Sequence, residues 1–473
     1  VARVVVVSNR VPTPGLDAPR AGGLAVALAD AIKPGDLWFG WSGEIAAATS
    51  TQAAVVSAKG IDYATIDLSA GDYEHFYVGY TNGLLWPLFH FRPGMIEFER
   101  SDLDAFVSVN QAFATALLPL LKPDDLIWVH DYHLIPLAKA LRGLGVTNRI
   151  GFFLHVPFVP PSLLETAPNA RSLLRELCAY DVVGFQTERN TEDFRDCLKK
   201  MMGLEAEPGE AVRVNGHSVL PLACPIGIDA PGFGKLAVRA GRSKDTKRLT
   251  DSLVGRALII GVDRLDYTKG LPNRFEGFSR MLARYPEHRN KVSYLQVAAR
   301  SREDVVPYQE LKRELDRKAG EVNGRFGEYD WVPLRYMTRS VARNTIAGFY
   351  NVARVALVTP YRDGMNLVAK EYIAAQPPED PGVLILSQFA GAAEELTEAI
   401  VINPHDADTI AEALHKALVM PLEERRERYE ALYAKVVKTS AKAFCDRFLG
   451  ALQGMPVQAA EAPAVHLARA LRA

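Results

Sequence analysis

The sequence predicts an α/β protein made of two Rossmann-like, doubly wound parallel-sheet domains that face a cleft. Three observations predict it. Short, continuous apolar runs alternate with stretches of helical pattern, as parallel strands buried on both faces require. Two of these runs open in the same way, each a β-branched strand, then a loop, then a helix: residues 3–8 (RVVVVS) before Gly22-Gly23-Leu24, and residues 257–262 (ALIIGV) before Lys269-Gly270. Between them, residues 231–250 are Gly-rich and basic with little core pattern, as befits a boundary.

The elements follow in chain order. Residues 1–7 are apolar but lack a basic leader and a small-residue cleavage site, so they read as a first strand and not as a signal peptide. The start at Val rather than Met suggests a trimmed terminus. Further buried strands are expected at 126–129, 150–154, 182–185, 292–298, 355–358 and 383–386. Each runs into polar or Gly/Pro residues, and ligands of such sheets lie beyond the carboxyl ends of the strands. The expected division is an N-terminal domain over 1–232, a linker over 233–250, a second domain over 251–445, and a C-terminal helix and mobile tail over 446–473.

Bulk properties exclude several classes. The 473 residues are 48% hydrophobic and 23% charged with a net charge of -1. That is ordinary for a soluble globular chain, and it argues against nucleic-acid binding through a general basic field. No apolar run reaches the roughly 20 residues of a membrane span. The four cysteines show no CxxC spacing, so thiols in a reducing cytoplasm are expected rather than a zinc ribbon or redox pair.

The chemistry-bearing residues fall in the strand-end loops. Arg264 and Lys269 lie in one loop (DRLDYTKG) beside a helix start. A guanidinium fork, an ammonium and a helix N-terminus suit a departing diphosphate. Equally, both are surface cations paired with Asp263 and Asp266. Asp363 precedes a Gly-containing turn, and Glu371 sits eight positions later, about two helical turns on. A carboxylate there suits a vicinal diol such as ribose, although a capping Asp and a surface Glu explain the pattern as well. Arg10 and Arg302 come from different domains and would suit a phosphate between them. Each alone is more often a surface residue.

Trp41, Tyr77 and Trp86 offer aromatic faces for sugar rings, or a core. Asp131 and His155 end neighbouring strands and are expected to meet. His130 and His133 with Asp131 invite a metal reading, but no fourth ligand is evident. Asp102 and Asp104 form a DxD that is expected simply to open a helix.

These segments resemble the trehalose-6-phosphate synthases, retaining glycosyltransferases of the two-Rossmann GT-B architecture in glycosyltransferase family 20. The matching stretches are VSNRVP, AGGLAVAL, WFGWSG, LLWPLFH, IWVHDYHLIPL, GFFLHVPF, VGFQT, GVDRLDYTKGL and VTPYRDGMNLVAKEYIAAQ, in family order through both domains. The resemblance implies that Arg264 and Lys269 clamp the donor diphosphate. It implies Glu371 on the ribose, Leu367 and Val368 at the nucleotide end, and Val341 near the base. Gly22, Gly23, His155 and Asp363 are implied at the transferred glucose. Arg10, Tyr77, Trp86, Asp131 and Arg302 are implied at glucose 6-phosphate, with Trp86 and Val156 fixing the acceptor anomer. Arg264, Lys269, His155 and Asp131 form the implied catalytic set.

The implied partners are UDP- or ADP-glucose and glucose 6-phosphate, with no cofactor, no resident metal, no nucleic acid and no membrane. A homo-oligomer, dimer or tetramer, is expected. Around Val341 the sequence TRSVARNT departs from the family pattern, which leaves the donor base open. A sugar-phosphate sensor on the same scaffold and another GT-B glucosyltransferase are the rival readings. A nicotinamide dehydrogenase is disfavoured because no complete GxGxxG follows the first strand.

Overall fold

The computed structural model describes residues 2–11, 32–214, 216–302 and 305–457. Gly22 and Gly23 lie outside the described residues. The chain divides into two compact units, Val1–Pro225 with Cys445–Ala473, and Ile226–Phe444.

Among the described residues the first unit holds nine strands: β1 Val4–Arg10, β2 Leu37–Ala46, β3 Ala54–Ala58, β4 Ile61–Ser69, β5 Leu126–His130, β6 Arg149–Phe153, β7 Val182–Phe185, β8 Val212–Val214 and β9 His217–Ala223. They are ordered β3-β4-β2-β1-β5-β6-β7-β9-β8. Pairing is parallel except at the two edges, where β3 runs against β4 and β8 against β9. The central run Val5, Val6 and Val7 is fully buried, which is why it reads as an unbroken apolar strand. β1 pairs with β2 on one side and β5 on the other, so the strand order reverses at β1. Ser8 is level with His130 and Arg10 with Trp41. One end of the sheet thereby collects the carboxyl ends of β1, β2 and β5.

The second unit holds β10 Ala257–Arg264, β11 Val292–Ala299, β12 Leu334–Met337, β13 Val355–Val358, β14 Val383–Ser387 and β15 Ile400–Ile402. Their order is β12-β11-β10-β13-β14-β15, all parallel. β10 is again the point of reversal, with β11 on one side and β13 on the other. Its core packs Ile259, Phe275, Phe278, Tyr294, Leu315 and Leu357 beneath helices Leu271–Arg284 and Val306–Phe326.

Two features depart from the sequence expectation. Residues 233–250 lie on two capped helices, Ala230–Gly241 and Lys244–Leu253, and not in an open linker. Asp229 caps the first by accepting from Gly232 N, and Ser243 caps the second by accepting from Thr246 N. They pack on helix Arg343–Val352, where a Cβ at Gly348 would sit 2.2 Å from Thr246 Oγ1 and 2.7 Å from Ala240 O. Their basic residues mark the solvent face only, which explains the weak core pattern.

The second departure is the helical run Arg100–Leu120, which is long and apolar enough by length and composition to cross a membrane. In the first unit its Phe106, Val109, Phe113 and Leu117 face the core, and Phe106 stacks on Phe76 and Tyr80. That is the pattern of a core helix.

The closing helix Ala441–Gly454 sends Phe448, fully buried, onto the first sheet. Its ring stacks on Trp128 at 5.0 Å and meets Phe153 at 5.8 Å. Gly151 of β6 and Gly184 of β7 make the seat, since a Cβ at either would lie 2.6 or 2.7 Å from the Phe448 ring. Phe448→Ala should therefore destabilise the chain by about 3–5 kcal/mol, read as a lower urea midpoint at unchanged slope. A loss below about 1 kcal/mol would show that this seat carries little stability.

Candidate functional site

In the first unit the site-bearing residues gather where β1, β2, β5 and β6 end. Arg10 is exposed, and its guanidinium lies 5.6 Å from the Trp41 ring centroid. Gly43 makes room for it. This residue has φ +96°, and a Cβ there would come within 2.3 Å of Arg10 Nη2.

Trp41 begins a band of rings. It lies 6.0 Å from Tyr77, Tyr77 stacks on His133 at 6.0 Å, His133 on Tyr132 at 4.1 Å, and Tyr132 lies 5.9 Å from Trp86. Tyr77 sits on a 13-residue π-helical run, Tyr73–Leu85, and buried Trp86 follows directly. The Tyr77 carbonyl accepts from both Thr81 Oγ1 and Asn82 Nδ2 at 2.7 Å. π-helical turns are rare and recur at functional sites.

Asp131 is the strained residue of this group, with φ 76° and ψ 163°, a region that only glycine ordinarily adopts. The bend aims its carboxylate back. Oδ1 accepts from Tyr132 N at 3.1 Å and from His155 N at 3.3 Å, so Asp131 and His155 do meet.

His155 Nε2 faces His130 Nδ1 at 3.0 Å, and its Nδ1 faces Gln186 Nε2 at 3.4 Å. Burial holds His155 down to about 3. Burial, then the neighbouring His155, holds His130 far below the ordinary histidine range. Both rings are neutral near pH 7, so His155 can hydrogen-bond a hydroxyl but brings no charge. Val156, beside it, is buried.

His133 is drawn away into the ring band, so the histidines do not converge on a metal. Asp102 and Asp104 open the helix that begins at Arg100, where Asp102 pairs with His75 at 2.7 Å and Asp104 with Arg100 at 3.9 Å.

In the second unit the loops after β10 and β11 meet around one carboxylate, and the loop after β13 joins them through Thr268 and Lys269. Asp266 is fully buried. Its Oδ1 accepts from Thr268 N at 3.0 Å and Thr268 Oγ1 at 2.9 Å, and its Oδ2 accepts from Tyr308 Oη at 3.2 Å. Arg302 Nη1 stands 3.6 Å and Arg264 Nη2 3.9 Å from the same Oδ2. Arg302, at φ 52°, also donates to Tyr308 Oη. Burial alone would raise the Asp266 carboxyl, but Arg302, Arg264, Lys269 and the Thr268 N–H outweigh it and hold it at about 2. Arg302 is nearly buried, whereas the Arg264 side chain is 48% exposed and turns a face outward.

Lys269 Nζ donates to Asp363 Oδ2 at 2.6 Å, and Asn366 Nδ2 donates to the same oxygen at 3.0 Å. Gly270 permits the close approach of the two loops. At φ +67° it lies against Thr359, whose carbonyl would be 2.3 Å from an added Cβ, and Tyr361 N donates to Thr268 O at 2.7 Å.

Beneath them Arg274 is fully buried. It donates to Asp263 Oδ2 at 2.5 Å, Gln296 Oε1 at 2.9 Å, Thr359 Oγ1 at 2.9 Å and Lys269 O at 3.2 Å, tying the loops after β10 and β13 to each other and to strands β10 and β11.

Helix Leu367–Ala375 starts after Asn366, which has φ 77° and no side-chain bond into the first turn. Its open N-terminus lies beside Asp363 and suits an anion or a hydroxyl. Leu367 and Val368 begin the helix and are part-exposed, and Glu371 lies one turn on from Leu367. Glu371 Oε1 accepts from Arg343 Nη2 at 3.2 Å. Burial raises the Glu371 carboxyl, with Arg343 opposing. Val341 stands two residues before Arg343, at the entry to helix Arg343–Val352.

The structure thus brings Arg264, Lys269, Asp363 and Arg302 into one cluster in the second unit. Arg10, Tyr77, Trp86, Asp131, His155 and Val156 gather in the first. Sequence reasoning noted Asp266 only as a surface partner and missed Tyr308, Arg274, Gly43 and Arg343. The D-x-T spacing of Asp266 and Thr268, a signature of a carboxylate capping its own turn, was the available signal.

Asp266→Asn removes the negative charge that stands 3.6 Å from the nearly buried Arg302 and 3.9 Å from Arg264. It should cost about 3–5 kcal/mol at pH 7. Because the folded-state pKa is depressed, this stability is fully present above the unfolded value near 4 and is lost as pH falls towards 2. Urea melts should show the gap between parent and variant narrowing from pH 4 downward. A gap that is absent at pH 7, or that widens in acid, would contradict the pairing.

The family model for glycosyltransferase family 20 matches residues 15–454. A trehalose-6-phosphate synthase of Sinorhizobium fredii is 46% identical over 456 residues, covering 95% of this chain and 98% of that protein. Among solved structures, a UDP-forming α,α-trehalose-phosphate synthase from Burkholderia xenovorans in complex with glucose-6-phosphate superposes with a TM-score of 0.92 at 43% identity, covering 96% of this chain and 100% of that one. An Escherichia coli structure bound with UDP-2-fluoro glucose gives 0.92 at 42% identity, over 97% and 100%. The chain belongs to glycosyltransferase family 20 and is a glycosyltransferase.

Proposed function

We propose that this chain transfers glucose from a nucleotide-glucose, UDP-glucose foremost and ADP-glucose as a second donor, to glucose 6-phosphate, giving α,α-trehalose 6-phosphate with retention. The observation that carries the reading is the cation cluster around Asp266, with Arg264 turned outward beside Lys269 at the point where the second sheet reverses. Relatives solved with glucose-6-phosphate and with UDP-2-fluoro glucose support the same pair of substrates.

In this reading Arg264 and Lys269 take the donor diphosphate, and Glu371 takes the ribose. Leu367, Val368 and Val341 line the nucleotide end. Asp363 and the neutral His155 hold hydroxyls of the glucose, together with Gly22 and Gly23. Arg10, Tyr77, Trp86, Asp131 and Arg302 bind glucose 6-phosphate, and Trp86 with Val156 selects its anomer.

The step is a front-face displacement. The bond from the anomeric carbon to the phosphate oxygen breaks and the bond to the acceptor hydroxyl oxygen forms on the same face. The hydroxyl proton passes to the departing phosphate, whose charge Arg264 and Lys269 stabilise. A double displacement would need a carboxylate at the anomeric carbon, and the carboxylates of this cluster are committed to cations.

The test mixes the full chain with glucose 6-phosphate and UDP-, ADP- or GDP-glucose and follows the products by NMR. An α,α-linked phosphorylated disaccharide is expected, with UDP-glucose the best donor. Arg264→Ala, still folded by circular dichroism, should lower turnover about 100-fold or more. No product with any donor from folded protein would favour a sugar-phosphate sensor, and full turnover in Arg264→Ala would remove that residue from the diphosphate.

A further inference from the structure

Outside this cluster one group of side chains has the make-up of a metal site. Helix Leu271–Arg284 starts at the Lys269-Gly270 turn and ends, about 20 Å further on, in the turn Pro286–His288. There His288 Nε2 faces His415 Nδ1 of helix Ala407–Val419 at 2.9 Å, and Glu287 Oε1 lies 3.8 Å from the same His415 nitrogen. Among the described residues these three offer ligand atoms that all lie within 4.8 Å of one another. We propose that Glu287, His288 and His415 bind a divalent transition-metal ion of the zinc class.

The geometry needs little adjustment. Zinc held at 2.0–2.1 Å by two imidazoles in a tetrahedral set separates their nitrogens by about 3.4 Å, so the rings open by only a few tenths of an ångström. Both rings are already oriented. Tyr285 stacks on His415 at 3.9 Å, 8° from parallel, and the His288 backbone is fixed by bonds to Tyr285 O and from Lys291 N, both 3.1 Å. His288 is nearly buried, whereas Glu287 and His415 open to solvent and leave a face for a water ligand.

Two imidazole nitrogens with one carboxylate select zinc, cobalt or nickel over magnesium and calcium, which prefer all-oxygen sets.

The ion would cross-link the two helices beside the Arg284–Glu412 and Arg280–Asp408 ion pairs. It would brace the helix that carries the Lys269 turn at its other end, without touching the reacting groups.

The experiment titrates metal-free full-length chain with Zn²⁺ by calorimetry and with Co²⁺ by visible absorption. The proposal expects one ion per chain at micromolar or tighter affinity, a four-coordinate cobalt spectrum, and no competition from Mg²⁺. His415→Gln keeps a partner for His288, and Glu287→Gln alters an exposed position, so both should melt like the metal-free parent. Each should weaken Zn²⁺ binding at least about tenfold. The absence of a saturable one-per-chain event, or parent affinity retained in both variants, would overturn the proposal.

Discussion

The second unit depends on a buried charge. Asp266 has no access to water, and it stands among three cations, Arg264 and Lys269 from the loop after β10 and Arg302 from the loop after β11. Without it, the nearly buried Arg302 guanidinium would lose the carboxylate 3.6 Å away, a loss that costs several kcal/mol. With it, Arg264 and Arg302 are both held to one oxygen, yet they differ in exposure. The anchor fixes position, and exposure decides which cation still has donors to offer. Arg274 supports the arrangement from below, since its bonds to Asp263, Thr359 and the Lys269 carbonyl keep the loops after β10 and β13 at one height.

The first unit is built differently. Its strand ends carry a band of rings and two imidazoles that burial keeps uncharged near pH 7. The His130–His155 pair keeps its donors and acceptors in fixed directions because neither ring protonates readily. The strained backbone at Asp131 sets a carboxylate against the His155 N–H, where an unstrained residue would point elsewhere. Strain of this kind persists only where surrounding contacts over-determine it. Here the β5–β6 pairing and the bond from Asp131 N to Phe153 O, at 2.8 Å, do so.

Legibility in the sequence followed burial. β1, β5, β6, β7, β10, β11, β13 and β14 were readable because both faces are covered, so each is centred on a short apolar run. β2 was not, because Trp, Gly and Ser interrupt it, and short edge strands such as β12 and β15 carry too few residues to signal. The helices over 230–253 were hidden by their basic solvent faces. Among site residues, Lys269 and Asp363 were readable as strand-end positions, and Glu371 by helical period. Their pairings were not readable. Asp266 meets Arg302 and Tyr308 across 36 and 42 positions, a separation that no local pattern encodes. The Glu287–His288–His415 group was invisible for the same reason.

The central claim is that one buried carboxylate anchors two arginines that serve two different anions, Arg264 the donor diphosphate and Arg302 the acceptor phosphate. Calorimetric titration of Arg302→Gln with UDP and with glucose 6-phosphate tests it most directly. The account predicts that glucose 6-phosphate affinity falls about tenfold or more, the loss of one charge-assisted contact, while UDP affinity stays within about twofold of the parent. A folded variant that loses UDP and keeps glucose 6-phosphate would contradict it.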